Sequence, residues 1–324
     1  MIIFGLEGTA WNLSAALVNE KEVLFERSST YQPPKGGIHP REASQHHAEY
    51  MSKIVGMVLA YAREKDIEID GISFSQGPGL GPCLRTVATA ARTLSLRFNV
   101  PLIGVNHCVA HIEVGKWQTG ARDPAIIYVS GGNSQILALR QGRYRIFGET
   151  LDISIGNAID KFARTVGLSH PGGPKVEELA RSSKNYIPLP YTVKGMDLSF
   201  SGLSTAASEA AKKYELADVC YSLQETAFAM LVEVTERAMA HSDKTEAMLV
   251  GGVGANKRLG EMLNIMCRER DASFFLPPRK FMGDNGSMIA YTGLIMLKSG
   301  ATTLLTESHI KPSYRTDEVN VVWA

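Results

Sequence analysis

The stretch AIIYVSGGNSQILALRQGRYRIF, residues 125–147, contains three short runs of strand-forming residues parted by turn residues. Ala125–Val129 is apolar, Ser130-Gly131-Gly132-Asn133 turns, Ser134–Leu139 comes next, and Gln141-Gly142 separates it from Tyr144–Phe147. The same figure stands at the start of the chain. Ile2–Leu6 leads into Glu7-Gly8-Thr9, then come Leu13–Val18, a turn at 19–21, and Val23–Arg27. The later segments of the two halves also correspond. Gly71–Ser75 runs into Gly77-Pro78-Gly79-Leu80-Gly81, a helical stretch from Leu84 to Arg97 and a strand at Pro101–Val105. Ala247–Val250 runs into Gly251-Gly252-Val253-Gly254, a helix from Asn256 to Arg270 and a strand at Ser273–Leu276. Each half reads strand-strand-strand-helix-strand-helix-strand-helix. The intervening helices predict parallel later strands with right-handed crossovers. The expectation is an α/β protein of two duplicated domains, 1–123 and 124–324, facing a cleft. The turns after the first strands and the glycine turns after the fourth strands should line that cleft. Residues 168–207 have no counterpart in the first half and read as an insertion at its rim.

Composition narrows the class. Of 324 residues, 44% are apolar and 21% charged, which suits packed domains and leaves no room for a low-complexity tail. Met1-Ile2-Ile3-Phe4-Gly5 lacks a basic flank, and no apolar run reaches the length of a membrane span, so neither a leader nor a membrane segment is expected. Cys83, Cys108, Cys220 and Cys267 are scattered and form no Cys-x-x-Cys pair; they read as reduced thiols of a cytoplasmic protein. With 34 Lys and Arg against 33 Asp and Glu, the chain neither announces nor excludes a nucleic-acid partner.

His107-Cys108-Val109-Ala110-His111 sets two imidazoles four residues apart, on one face if helical, where both reach one ion. The residue after the first histidine is Cys108, so the Glu base of the zinc-protease motif is missing. The plainer reading is a pair of histidines hydrogen bonding on a helix. Position favours the metal: the pair comes after the last strand of the first repeat, and the matching place in the second repeat is Gly283-Asp284-Asn285-Gly286. Two histidines and a carboxylate, brought from opposing domains, form a recognised set for zinc or ferrous iron. Gln45-His46-His47 lies at the start of a long helical stretch and reads as surface or packing. The Ser130–Asn133 hairpin offers successive N–H groups to phosphate oxygens, or is simply a turn. Gly251–Asn256, between a strand and a helix, allows a ligand close to backbone and helix N-terminus. Neither a Gly-x-Gly-x-x-Gly fingerprint nor a Walker A motif occurs.

Taken together, Gly5-Leu6-Glu7-Gly8-Thr9-Ala10, Gly77-Pro78-Gly79-Leu80, Asn106-His107-x-x-Ala110-His111-Ile112-Glu113, Tyr128-Val129-Ser130-Gly131-Gly132-Asn133, Asp160-Lys161, Ser199-Phe200-Ser201-Gly202-Leu203 and Gly251-Gly252-Val253-Gly254-Ala255-Asn256 resemble one family. It is the universal tRNA threonylcarbamoyladenosine synthase family, the TsaD-like catalytic subunits of the KEOPS complex. The resemblance implies the actin/sugar-kinase-type (ribonuclease-H-like) fold for both domains. Glu7-Gly8-Thr9 and Ser204 stand where bacterial members usually carry Glu-Thr-Ser and Lys, so the form resembles the archaeal and eukaryotic one. The chain ends soon after the second repeat, so no fused kinase domain is expected.

The resemblance implies transfer of a threonylcarbamoyl group from threonylcarbamoyl-AMP to the exocyclic amine of the adenosine 3′ of the anticodon, in tRNAs reading codons that begin with adenine. It implies one Fe(2+), or Zn(2+), held by His107, His111, Asp284 and Tyr128. It implies an adenine nucleotide (the adenylate donor, ATP or AMP) on Tyr128, Val129, Ser130, Gly131, Gly132, Asp160, Gly173, Glu177 and Asn256. Partners would be tRNA, a small RIO-type kinase-like KEOPS subunit and further small KEOPS subunits, with no membrane. Glu7 is nominated to take the amine proton; the plainer reading is a turn carboxylate bonded to nearby N–H groups. Asp160 reads otherwise as a solvated helix face, and Glu177 as an offset to its helix dipole. Two other functions fit the repeat: a small-molecule kinase, which commonly uses a carboxylate base and magnesium, and a nucleotide-dependent switch. The histidine pair counts against both.

Overall fold

The computed structural model describes residues 1–33 and 37–324. The first repeat forms β1 (Ile3–Glu7), β2 (Asn12–Val18), β3 (Val23–Thr30), α1 (Pro40–Glu64), β4 (Gly71–Gly77), α2 (Gly81–Phe98), β5 (Leu102–Asn106) and α3 (His107–Thr119). The second forms β6 (Ala125–Val129), β7 (Ser134–Arg140), β8 (Arg143–Glu149), α4 (Ile155–Thr165), α5 (Gly172–Ala180), the short pair β9 (Val193–Lys194) and β10 (Asp197–Leu198), α6 (Ser201–Ala210), α7 (Leu216–Ser242), β11 (Glu246–Val250), α8 (Lys257–Glu269), β12 (Ser273–Phe275) and α9 (Gly286–Lys298). The two five-stranded sheets have one order, β3-β2-β1-β4-β5 and β8-β7-β6-β11-β12. In each, the first two strands pair antiparallel and the later ones parallel, β1 with β4 and β4 with β5, β6 with β11 and β11 with β12. This is the duplication expected from residues 125–147 and their counterpart.

The chain divides into two compact units: residues 1–117, 141–144 and 283–324 form one, and residues 118–140 and 145–282 the other. The sequence boundary at 123/124 assigns everything after it to the second domain, whereas 283–324 packs with the first sheet. The cause is legible in the small residues. Strand β1 alternates: Phe4 and Leu6 join Leu13, Leu17, Val58, Ile72, Val87 and Ala91 on the face covered by α1 and α2, while Ile3 joins Ala16, Val18, Ala290 and Leu294 on the other. On that second face α9 lies almost backbone to backbone. A Cβ on Gly5 would stand 2.5 Å from the Ala290 nitrogen, one on Gly286 2.9 Å from the Ala15 carbonyl carbon, and one on Gly293 2.4 Å from the Ser73 Cβ. Only glycine permits that approach. Ser73 Oγ donates to the Ile289 carbonyl (3.0 Å) and Gly286 N–H to Ser14 Oγ (2.9 Å), pinning the helix in register.

In the second unit the stretch 168–207 is not peripheral to its core. Val176, Ala180, Leu198, Phe200, Leu203 and Ala207 are buried in the same cluster as Ile127, Ile136, Phe162, Phe228 and Leu249. Helix α5 packs on α4 and α7. Among the described residues no helix is long and apolar enough to cross a membrane.

Candidate metal centre and nucleotide-site residues

Strand β5 delivers α3 without a loop. Asn106 ends the strand, and its Oδ1 accepts from the N–H groups of Cys108 (2.9 Å) and Val109 (3.1 Å), capping the helix whose first residue is His107. Residues His107 to Gly115 are all buried. One turn on, His111 shares the face of His107, and the rings meet edge to face with centroids 4.8 Å apart. Asp284 arrives just ahead of α9, whose N-terminus is capped by Asn285 accepting from Met288 N–H (2.8 Å). Asn12 Nδ2 holds the Asp284 carbonyl at 2.8 Å. Asp284 Oδ1 then lies 3.4 Å from His107 Nε2 and 3.2 Å from His111 Nε2. The three ligand atoms fall within 4.8 Å of one another. Two donors on one tetrahedral ion at ordinary Zn–N and Zn–O lengths stand about 3.4 Å apart, so this donor set fits a transition metal. The set does not bridge opposing domains: all three residues belong to the first unit, because α9 packs there.

Burial opposes charge on His107, but the carboxylates of Glu7 and Asp284 outweigh it and hold its pKa well above the usual histidine value. Burial, together with charge on His107, pushes His111 down despite Asp284. The two imidazoles overcome the burial of Asp284 and keep its carboxyl far below the usual carboxylate range.

Glu7 closes β1 with no exposed surface. One oxygen, Oε1, accepts from Thr9 N–H and Thr9 Oγ1–H, both at 2.7 Å. The other, Oε2, lies 3.0 Å from His107 Nδ1. The carboxylate nominated to take a proton from a substrate is thus engaged at both oxygens, and the plainer turn reading accounts for one of them. Thr9 carries no motif of its own; its place two residues after a buried carboxylate is the signal for such a turn. His46 and His47 pack together, Nδ1 to Nδ1 at 3.3 Å, with His47 fully buried.

The remaining candidates sit in the second unit. Tyr128 and Val129 end β6, fully buried. In the hairpin to β7, Ser130 Oγ accepts from the N–H groups of Gly132 (3.3 Å) and Asn133 (3.0 Å), and Ser154, the cap of α4, donates to the Gly131 carbonyl. A Cβ on Gly131, Gly132, Gly173 or Gly252 would meet nothing within 4 Å, and none of these has a left-handed backbone. Nothing in the protein explains their lack of side chain. Gly251 and Gly254 differ. The first has φ +92 and would drive a Cβ into the Val129 carbonyl at 2.4 Å; the second would meet Met282 and Leu249 at 2.6 and 2.9 Å. These two serve packing.

Asp160 is not a solvated helix residue: its Oδ1 accepts from Gly172 N–H at 2.7 Å, tying α4 to the start of α5, where Gly173 is the next residue. Glu177 accepts from Lys257 N–H (3.2 Å) and pairs with Arg181, so it bridges α5 to the first residue of α8. Asn256 caps α8, accepting from Arg258 N–H (2.9 Å) while its Nδ2 donates to Gln224 (2.8 Å). The four candidates therefore fall into two neighbouring pairs, Asp160 beside Gly173 and Glu177 beside Asn256. Sequence reasoning missed Asp152, which accepts from the N–H groups of Ile153, Phe200 and Ser201 and from Ser199 Oγ (2.6 Å), anchoring the Ser199–Leu203 motif. Burial of the carboxyl is outweighed by these bonds, which hold its pKa well below the usual range. The serines flanking Phe200 are its only trace in the sequence.

Among solved structures, the ROK hexokinase of Thermus thermophilus matches 93% of this chain and 100% of its own at a TM-score of 0.54 and 15% identity, which shows the actin/sugar-kinase-type fold. Residues 22–291 match the family model described as tRNA N6-adenosine threonylcarbamoyltransferase. A protein of Methanothrix thermoacetophila with that name is 73% identical over 324 residues, the whole of both chains. A protein of Methanosarcina acetivorans named probable bifunctional tRNA threonylcarbamoyladenosine biosynthesis protein is 65% identical over 99% of this chain, which spans 59% of that relative's length. Matched across most of its length by the family model and along all of it by so similar a relative, the chain belongs to the tRNA N6-adenosine threonylcarbamoyltransferase family.

Proposed function

We propose that this transferase moves the threonylcarbamoyl group of threonylcarbamoyl-AMP onto the exocyclic amine of the adenosine 3′ of the anticodon, in tRNAs reading codons that begin with adenine, using a metal held by His107, His111 and Asp284. The observation that carries this reading is the donor set itself, two imidazoles and one carboxylate oxygen within 4.8 Å in a chain of this family. Ferrous iron is the proposed ion, with zinc the alternative; both take this donor set. A bound ion supplies Lewis acidity for the carbamoyl carbonyl and charge for the departing phosphate.

The protein's own contributions come from the residues described. The hairpin 130–133 presents N–H groups suited to phosphate oxygens, and the bare Gly131 and Gly132 leave their backbone open to a ligand. Asp160, Gly173, Glu177 and Asn256 are proposed for the rest of the nucleotide, Asp160 and Glu177 through the carboxylate oxygens that the helix contacts leave over. The adenine amine is a weak nucleophile, so positioning supplies much of the rate. Tyr128, the fourth ligand implied by the resemblance, belongs to the other unit; metal content of Tyr128→Phe decides whether its oxygen is a donor. We place the protein in the cytoplasm, in keeping with four buried free cysteines. We also propose a small kinase-like subunit and further small subunits of the KEOPS type as its partners, a reading supported by relatives named bifunctional, in which a further segment is joined to this one.

The test is transfer of a labelled threonylcarbamoyl group to tRNA from the adenylate, with metal-stripped and reloaded protein. His107→Ala and Asp284→Ala should each lose most of the bound metal and the transfer, and His46→Ala should keep both. Full metal content in Asp284→Ala removes the site from the reaction.

A further inference from the structure

We infer that Glu7 is a positioning residue for the metal centre: its carboxylate fixes the tautomer of His107, and Thr9 fixes which carboxylate oxygen does so. The inference rests on the assignment of His107 as a metal ligand proposed above. A carboxylate oxygen accepts hydrogen bonds, and with Oε1 taken by the two Thr9 donors the 3.0 Å contact with Glu7 Oε2 assigns the donor role to His107 Nδ1. In the neutral ring a proton on Nδ1 leaves the lone pair on Nε2, the nitrogen 3.4 Å from Asp284 Oδ1 and therefore the one facing the proposed ion.

Thr9 makes the arrangement one-sided. Its N–H and its hydroxyl both donate to Glu7 Oε1 at 2.7 Å. With its proton committed there, the Thr9 oxygen can only accept from His107 Nδ1, which it approaches to 3.4 Å. Every group around Nδ1 thus demands a proton on that nitrogen. All of this lies in the interior: Glu7 is 0% exposed, Thr9 3% and His107 7%.

Glu7→Gln inverts this arrangement. The two Thr9 donors hold the amide oxygen at the Oε1 place, so the amide nitrogen must occupy the Oε2 place. It then points N–H at His107 Nδ1 and asks that atom to accept. The ring satisfies it by carrying its proton on Nε2, where it blocks the metal. The near-isosteric variant is therefore the more damaging one, whereas Glu7→Ala leaves the ring free to take either tautomer.

The experiment uses the full chain, stripped of metal, with Zn(2+) as probe and affinity read by competition with a chromogenic chelator. Metal-free melting temperatures report the fold of each variant. Glu7→Gln should bind zinc about 10–100-fold more weakly than the unaltered chain, and more weakly than Glu7→Ala. Equal affinity of Glu7→Gln and the unaltered chain, or a larger loss in Glu7→Ala than in Glu7→Gln, overturns the inference, since a carboxylate that merely fills space predicts that order. His111→Ala separates the two layers: if it binds zinc undiminished, the metal assignment falls and this inference with it; if it loses zinc while Glu7→Gln does not, only the positioning role falls. Should Glu7→Gln fail to fold, Glu7→Asp, which restores an acceptor, must hold zinc more tightly than Glu7→Ala, and the reverse order overturns the role.

Discussion

Single side chains here are tuned by burial, and His47 is the clearest case. Its ring has no exposed surface and its Nε2 meets no polar partner. Burial, with a smaller push from His46, lowers its pKa to about 4. Below the ordinary histidine value near 6.5 the unfolded chain takes up a proton that the folded chain refuses until about pH 4, so stability is lost as pH falls through that window. For one group the loss between pH 7 and 4.5 is about 2.5 kcal/mol. His47→Leu removes this pH-dependent loss, so the stability gap between variant and unaltered chain should move in the variant's favour by roughly that much on acidification. Denaturant unfolding at the two pH values measures it, and a gap that does not move contradicts the assignment of a neutral buried ring.

Among elements, the glycines sort the loops. Gly131→Val and Gly252→Val put a side chain into open space and should leave the circular dichroism spectrum unchanged while weakening adenine-nucleotide binding by calorimetry at least about tenfold, a loss of about 1.4 kcal/mol. Unchanged affinity in both would take the hairpin and the Gly252 turn out of the site. Gly254→Val, which by sequence looks like an equivalent test, is expected to cost stability instead, because Met282 and Leu249 already fill the space. Gly5→Ala presses on the α9 backbone and should cost about 2–3 kcal/mol and lower metal affinity, since Asp284 precedes that helix. Loss of stability with metal affinity intact would unlink the two. These cases mark what a sequence reveals. Short apolar runs and the turn residues between them gave all ten sheet strands, because local chemistry sets them. The His-x-x-x-His spacing and Asp284 were legible for a related reason, since His107 opens α3 and Asp284 lies two residues before α9. The partner of α9 was not, since Gly5, Gly286 and Gly293 are glycines for contacts between segments more than 200 residues apart. Nor was the engagement of Glu7 with His107, which depends on a register between β1 and β5 that β4 sets.

At the scale of the molecule, charge and chain path matter most. With 34 basic against 33 acidic residues, the chain has little to draw a tRNA on its own, and phosphate contacts are what give such binding its salt dependence. The isolated chain should therefore transfer slowly at physiological salt, and addition of the proposed partner subunits should raise both tRNA affinity and turnover. Full rate from the isolated chain under those conditions would contradict this. The path of the chain adds a different constraint. His111 and Asp284 are 173 residues apart, and all of the second unit is encoded between them. A ribosome adding roughly 5–20 residues per second needs about 9–35 s to cover that distance. For that interval the nascent first sheet presents the face that α9 will cover, and its two histidines wait without their carboxylate. Assembly of the proposed triad therefore has to follow translation of the second unit, a segment that supplies none of its three residues.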